Sequence, residues 1–410
     1  MQLSLMQAEQ LWQNKNRELQ IIQRQTQATA SDKITAAQAP NPTLSFNTTA
    51  IETGESAFIK QADSVVRVDQ LFERGNKRAL RMRAANLRAD AAASDYTDAK
   101  RQGLIDLNTR YYDLVLAQQQ LFIVDENAQL FARSVDAARL RLKAGDIAAA
   151  EFARLQIDAL RAQNDVESAK NNLRKAQVAL AYKIAAENAV TEIYASDRWP
   201  ELNSLAAHEP TAALIAKRAD VAAADKRAQA AEIAFASAQA LRERDITVGV
   251  QVEHNGQNRP LNSVGVGFSV PLMTGYAYSG EIEHARIDLD IAQRNAEQTR
   301  AQASVEISNA YADLSAALAQ VQRFDQSLLQ AAQRAIDTTE FGYKHGAISL
   351  MDLLDARRTY KATQIDAAMA HAIYAKALST WNLITDFSSV NEAEIIAKVG
   401  VMPAPAGENK

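Results

Sequence analysis

The spacing of apolar positions changes twice in each half of this chain. Residues 3–38 and 211–243 carry apolar side chains at helical spacing, and each stretch leads into two short runs of strict alternation. In the first half the alternating residues are Leu44, Phe46, Thr48 and Ala50, then Val66, Val68, Gln70 and Phe72. In the second half they are Ile246, Val248, Val250 and Val252, then Val264, Val266, Phe268 and Val270. A period of two puts each set on one face of a strand. Polar connections with glycine at 51–62 and 253–262 make each pair a hairpin, and Pro40, Pro42 and Pro271 stand at its borders. After Gly75 and Gly275 the helical period returns and barely stops. Residues 76–142 hold no Pro and only Gly103, and residues 281–341 hold neither residue type. A helix of about 65 residues would be roughly 100 Å long.

The two halves are copies of one plan. A shift of 200 lays Val66, Val68, Phe72 and Gly75 on Val266, Phe268, Leu272 and Gly275, and Tyr111, Asp113 and Leu114 on Tyr311, Asp313 and Leu314. A shift of 201 then lays Leu142 to Ile147 on Tyr343 to Ile348. The expected organisation is a first repeat at 1–210 and a second at 211–410. The first has strands at about 43–51 and 64–72, a coil hairpin at about 76–186, and a less regular segment at 187–210 beside the coil. The second has strands at about 246–253 and 263–271, a coil hairpin at about 276–386, and a matching segment at 387–410. Tight turns at Lys143-Ala144-Gly145 and Lys344-His345-Gly346 reverse each coil. Their glycines suit the left-handed backbone of a helix end.

Composition narrows the function. Gly is 14, Pro is 8 and aromatic residues are 6%, while Ala and straight-chain residues dominate, as long helices require. The formal charge of −4 is small and interspersed, so no nucleic-acid footprint is present. Without cysteine there is no disulfide, thiolate metal site or cysteine nucleophile. No apolar run reaches the roughly 20 residues of a membrane helix, but the four alternating runs have the length of tilted barrel strands, about 9–11 residues. Four strands cannot close a barrel, and open edges in lipid leave backbone groups unpaired. Two chains would bring eight strands and three would bring twelve. The competing reading is a soluble coiled-coil scaffold or adaptor capped by surface hairpins. Residues 1–20 lack the apolar core of a signal peptide, so an exported chain would have lost its signal.

The turn sequences Lys143-Ala144-Gly145-Asp146-Ile147 and Tyr343 to Arg357, with Asn41 to Phe46 and Gly75 to Arg78 around the first hairpin, resemble the TolC-type outer-membrane efflux family in its heavy-metal, CzcC-like branch. The resemblance spans essentially the whole chain. It implies a mainly helical, internally duplicated protomer, trimeric, with a twelve-strand β-barrel continuous with a long twelve-helix α-barrel. It further implies an exit duct without enzymatic chemistry or cofactor, located in the Gram-negative outer membrane and reaching into the periplasm. Its partners would be outer-membrane lipid, a periplasmic adaptor and an inner-membrane transporter of the proton-driven RND class. The cargo implied is a divalent cation such as cobalt, zinc, cadmium or nickel, with multidrug export as the alternative.

The same resemblance singles out residues. Asp352 and Asp355 stand where the family rings its periplasmic entrance with carboxylates; three copies would gather cations. Spacing alone favours an ordinary solvated pair on the first turns of a helix; the resemblance turns the reading to the entrance ring. Glu151 and Arg154 are their repeat equivalents, and an acid at Glu151 would pair with Tyr343 to hold the entrance shut. Ile348 departs from relatives that carry a basic residue there. Lys143, Gly145, Asp146, Lys344 and Gly346 form the tips expected to meet the adaptor. The five histidines, His208, His254, His284, His345 and His371, show no metal-binding spacing.

Overall fold

The computed structural model describes residues 1–49, 62–202, 212–256 and 261–385. Strand β1 (Gln2–Leu3) is followed by helices α1 (Leu5–Lys15) and α2 (Arg17–Ala37) and strands β2 (Thr43–Thr49) and β3 (Asp63–Phe72). The first coil hairpin is α3 (Lys77–Ala144) and α4 (Ala149–Lys183), then a 3₁₀ turn at Glu187–Glu192 and strand β4 (Tyr194–Ala195). Helices α5 (Ala212–Ala216) and α6 (Ala219–Ala240) lead to strands β5 (Ile246–Asn255) and β6 (Leu261–Ser269). Helix α7 (Ser279–Arg323), a π-turn at Phe324–Leu328, α8 (Leu329–Lys344) and α9 (Leu350–Thr385) complete the order. Strand and coil elements thus recur in the same order in both halves.

Several boundaries differ from expectation. The helix expected over 3–38 is broken at Asn16, whose backbone leaves helical space (φ −65°, ψ 124°). Its side chain donates to the Lys183 carbonyl and accepts from the Leu19 N–H, so one Asn ends α1 and starts α2. The helical stretch expected from 211 is two helices, α5 and α6. Strand β6 ends at Ser269, which leaves Val270 beyond it. The expected second long helix is interrupted by the π-turn. Ala50, His208 and the segment 387–410 lie outside the described residues.

The chain divides into two compact units, each drawing on both halves of the sequence. One holds residues 24–95 and 219–301. Its sheet has the order β2-β3-β5-β6, all antiparallel, so β3 pairs with β5 and joins the two hairpins. Directly paired residues share a face, and the register lines up Leu44, Val68, Val250 and Val266, then Phe46, Val66, Val252 and Val264. All eight are exposed, Val264 and Val266 by 74% and 78%. The opposite face carries Ser45, Arg67, Gln251 and Gly265, with Asp69, Gly249 and Gly267 in the next row. There the Arg67 guanidinium meets Asp69 at 2.8 Å and Gln251 at 3.2 Å. A Cβ on Gly249 would fall 2.1 Å from the Asp69 carboxylate, so glycine makes room for this pair.

Below the strands, Gly75 (φ +67°) and Asn76 (φ +56°) bend the chain into α3. A side chain at 75 would strike Glu243 at 2.7 Å. Asp245 accepts from the Arg74 N–H and from Lys77, and Arg81 pairs with Glu73. Helix contacts here run through alanines: Ala84, Ala85, Ala89, Ala223, Ala224 and Ala296 are buried. Small side chains let the backbones approach closely, as the Ala-rich seam predicts.

The other unit holds residues 1–23, 96–218 and the described part of 302–397. Its largest core packs Trp12, Leu107, Tyr111, Leu114, Leu180, Ile184 and Ile193. The mid-helix Gly103 belongs to this packing, since a Cβ there would sit 2.3 Å from the Trp12 ring. Strands β1 and β4 pair in parallel over it, and Tyr111 donates to the Leu3 carbonyl. Lys183 ties α4 to Glu18 at 3.0 Å and to Asp106 on α3 at 2.9 Å.

Candidate functional site

Both coil turns close in the same way. Gly145 (φ +84°) donates to the Leu142 carbonyl and Asp146 to that of Arg141; Gly346 (φ +75°) donates to Tyr343 and Ala347 to Gly342. This pair of bonds satisfies the last carbonyls of α3 and α8 and requires a left-handed residue, which glycine supplies without strain. Lys143, Gly145, Asp146, Lys344 and Gly346 are all exposed, and both glycines face open space. Ser349 opens α9: its hydroxyl accepts from the Asp352 N–H and donates to the Asp352 carboxylate at 2.7 Å. Asp352 therefore serves the helix end, while Asp355 projects from the second turn into solvent. Glu151 and Arg154 stand exposed on the first turns of α4.

The residues that join the two hairpins are others. Tyr343 is half-buried, and its hydroxyl accepts from Arg141 on α3 at 3.2 Å, with the guanidinium 5.7 Å from the ring centre. Arg141 stands one turn before the tip of α3, and within the chain it is the residue bonded to the Tyr343 hydroxyl among the described residues. Arg357 on α9 donates to Ser134 on α3 at 2.9 Å and to Glu340 on α8 at 3.1 Å, and lies 6.0 Å from the Phe131 ring centre. Arg358 meets both oxygens of Asp158 on α4 at 2.7 Å, and Lys361 meets Asp165 at 2.8 Å. Asp158 is buried, with Leu155, Ala162 and Val166 on the same helix stripe. A lone acid in an apolar helical stripe was the sequence signal for this pair.

Two cavities flank Arg357. One of about 150 Å³ is lined by Arg141, Leu155, Tyr343, Lys344 and Leu353, the other of about 320 Å³ by Glu126, Arg133, Asp337 and Tyr360. Burial, and then the negative charges of Asp337 and Glu126, push the Tyr360 hydroxyl above the usual tyrosine range. Among the described residues no group of three acid or imidazole side chains converges as a metal site. The arrangement holds helices together by charge and hydrogen bonds.

Residues 212–381 match the family model described as outer membrane efflux protein. The chain superposes on the outer membrane channel CmeC of Campylobacter jejuni with a TM-score of 0.79, at 16% identity, covering 96% of this chain and 89% of that one. The fold is that of an outer-membrane efflux channel. In sequence the chain is 23% identical to the outer membrane protein TolC of Escherichia coli, over 80% of this chain and 70% of that protein. It is also 23% identical to the cobalt-zinc-cadmium resistance protein CzcC of Cupriavidus metallidurans, over 70% of this chain and 68% of that protein.

Proposed function

We propose that three copies of this chain form the outer-membrane exit duct of a tripartite efflux pump. The observation that carries the reading is the apolar face of the sheet. Aligned rows of valine, leucine and phenylalanine cross all four strands and stand exposed, while the other face is polar. Such a surface suits lipid on one side and water on the other. The sheet also ends in the free edges of β2 and β6, which lipid does not tolerate. Pairing β6 of one copy with β2 of the next removes every edge, and three copies give twelve strands. The internal duplication then makes a quasi-sixfold tube, its coils forming the twelve-helix α-barrel in the periplasm.

In this reading the coil tips around Gly145 and Gly346, with Lys143, Asp146 and Lys344, meet a periplasmic adaptor that links to an RND-type inner-membrane transporter. Asp352, Asp355, Glu151, Arg154 and Tyr343 surround the periplasmic entrance. We assign the cargo to divalent heavy-metal cations, supported by the likeness to the cobalt-zinc-cadmium resistance protein and by the exposed acids of the tips. The equal identity to TolC keeps multidrug export as the second reading. A deletion strain distinguishes them: sensitivity to zinc, cobalt, cadmium or nickel supports the first. Sensitivity to dyes and antibiotics without a metal effect replaces it with the second.

A further inference from the structure

Alternation puts Arg67 and Asp69 side by side on the polar face of β3. Among the described strand residues Arg67 is the one basic side chain on that face, against the acids Asp63, Asp69 and Glu253. An arginine standing up from a single sheet would be open to solvent, yet only 31% of this side chain is exposed. It lies flat because glycines leave room beneath it. A Cβ on Gly249 would come within 2.7 Å of Nη2 and 2.9 Å of Nε, and one on Gly267 within 3.4 Å of both Nη atoms. The guanidinium therefore reaches from β3 across β5 to β6. Oδ1 of Asp69 lies 2.8 Å from both Nε and Nη2, and Gln251 accepts from Nη1 at 3.2 Å. A planar fork held at all three nitrogens keeps one orientation.

The duplication bears on this pair. The shift of 200 that lays Val66 on Val266 also lays Arg67 on Gly267 and Asp69 on Ser269. One repeat thus supplies the ion pair, and the other supplies the glycine over which the guanidinium lies. Three copies of the chain bring three such pairs, not six. We propose that these three pairs form a girdle inside the barrel that keeps it selective for cations, each Arg67 laid against the wall with its charge cancelled by Asp69. The girdle deepens the duct reading and rests on it, because only a closed barrel makes the polar face the wall of a bore. With Arg67 compensated, Asp63 and Glu253 leave that wall negative in every copy. Rings of one charge lining a pore decide which sign of ion enters. Freed of Asp69, the three arginines would instead form a cationic ring across the path.

The test is the potassium-to-chloride permeability ratio of the full-length protein in planar bilayers, read from the reversal potential in a KCl gradient. The wild type should favour potassium. Asp69→Asn should lower the ratio about two- to fivefold near 0.1 M salt and barely at 1 M, because the screening length shrinks from about 10 Å to about 3 Å. Arg67→Gln should raise it by a similar factor. The double variant, without charge at either position, should return towards the wild-type ratio, which damage to the barrel would not produce. Gly267→Leu keeps every charge but fills the space under the guanidinium, and should lower the ratio as Asp69→Asn does. A ratio that stays put in both single charge variants, or moves the same way in both, overturns the girdle while the duct stands. So does a Gly267→Leu channel that matches the wild type. A wild-type protein that gives no conductance steps removes the duct, and the girdle with it.

Discussion

Removing Arg358 should loosen the contact between the two coil hairpins of one protomer. Its guanidinium makes both of its 2.7 Å contacts to Asp158, whose side chain is only 7% exposed, and Arg161 reaches the same carboxylate at 3.7 Å. Breaking a fully buried pair from one side costs about 3–5 kcal/mol, because a desolvated charge is left behind. Arg358 is 49% exposed, and Arg161 still offers partial compensation, so roughly 1–3 kcal/mol is the reasonable expectation. At 1.4 kcal/mol per factor of ten, Arg358→Ala should speed local-opening exchange of amides in α4 and the first turns of α9 by about 5- to 150-fold. The assay is hydrogen exchange on the purified protein, with Asp158→Ala and the double variant completing a cycle. The double variant should lose less than the sum of the singles, since each single leaves the partner unpaired. If Arg358→Ala exchanges like wild type, or the two effects simply add, the pair does not hold the hairpins together.

Other consequences can be checked alongside. Gly346→Ala should cost about 1 kcal/mol of coil stability, because the residue sits at φ +75°. The space around it is open, so a larger side chain should add little instability but should block adaptor docking; export unaffected by such a variant of Gly145 or Gly346 would remove docking from these tips. Gly249→Leu should cut the yield of folded membrane protein severely, since even its Cβ collides with Asp69, whereas Gly280→Ala, with nothing within 4 Å, should be silent. The Lys183 tie should show in acid and base. Burial acts against the Asp106 carboxylate, but the Lys183 hydrogen bond and charge, with Arg110, hold it below the usual range. Its stabilisation is therefore complete above the unfolded value near 3.9 and is lost as pH falls through the depressed folded value. Burial likewise opposes the Lys183 charge, but Asp106 and Glu18 raise it on balance. That contribution is complete below the unfolded value near 10.4 and is lost as pH rises through the raised one. Lys183→Met should flatten both limbs of a thermal-stability profile against pH; an unchanged profile would refute the tie.

How much of this could be read from the chain depends on the kind of signal. Val66, Val68, Val250 and Val252 announce strands because their period is two, and Gly145 and Gly346 announce turns because little else tolerates their backbone. Period says nothing about which strand lies beside which, so the β3–β5 pairing that unites the hairpins was not legible. Asn16 was hidden because a residue capping two helices at once leaves the helical period almost intact. The π-turn was visible only as the change of offset from 200 to 201, a trace of an insertion without its position. The tip acids Asp352 and Asp355 rest on family likeness, because their i,i+3 spacing is also that of any charged first turn; Asp352 is exposed and accepts from the Ser349 hydroxyl at the start of α9. The contacts that tie the coils, Arg357–Glu340 and Arg358–Asp158, join residues far apart in the chain, and only the buried position of Asp158 in an apolar stripe hinted at one of them.

The central claim is that three chains close one barrel through the free edges of β2 and β6. The protein contains no cysteine, so cross-linking can be made specific. Asn47→Cys in β2, combined with single cysteines scanned along 263–269 of β6, should give a disulfide-linked ladder ending at three chains of 44.8 kDa each, found in detergent-extracted outer membrane and in register for only one or two scanned positions. A chain released without detergent that stays monomeric, and uncross-linked at every position, would contradict the account.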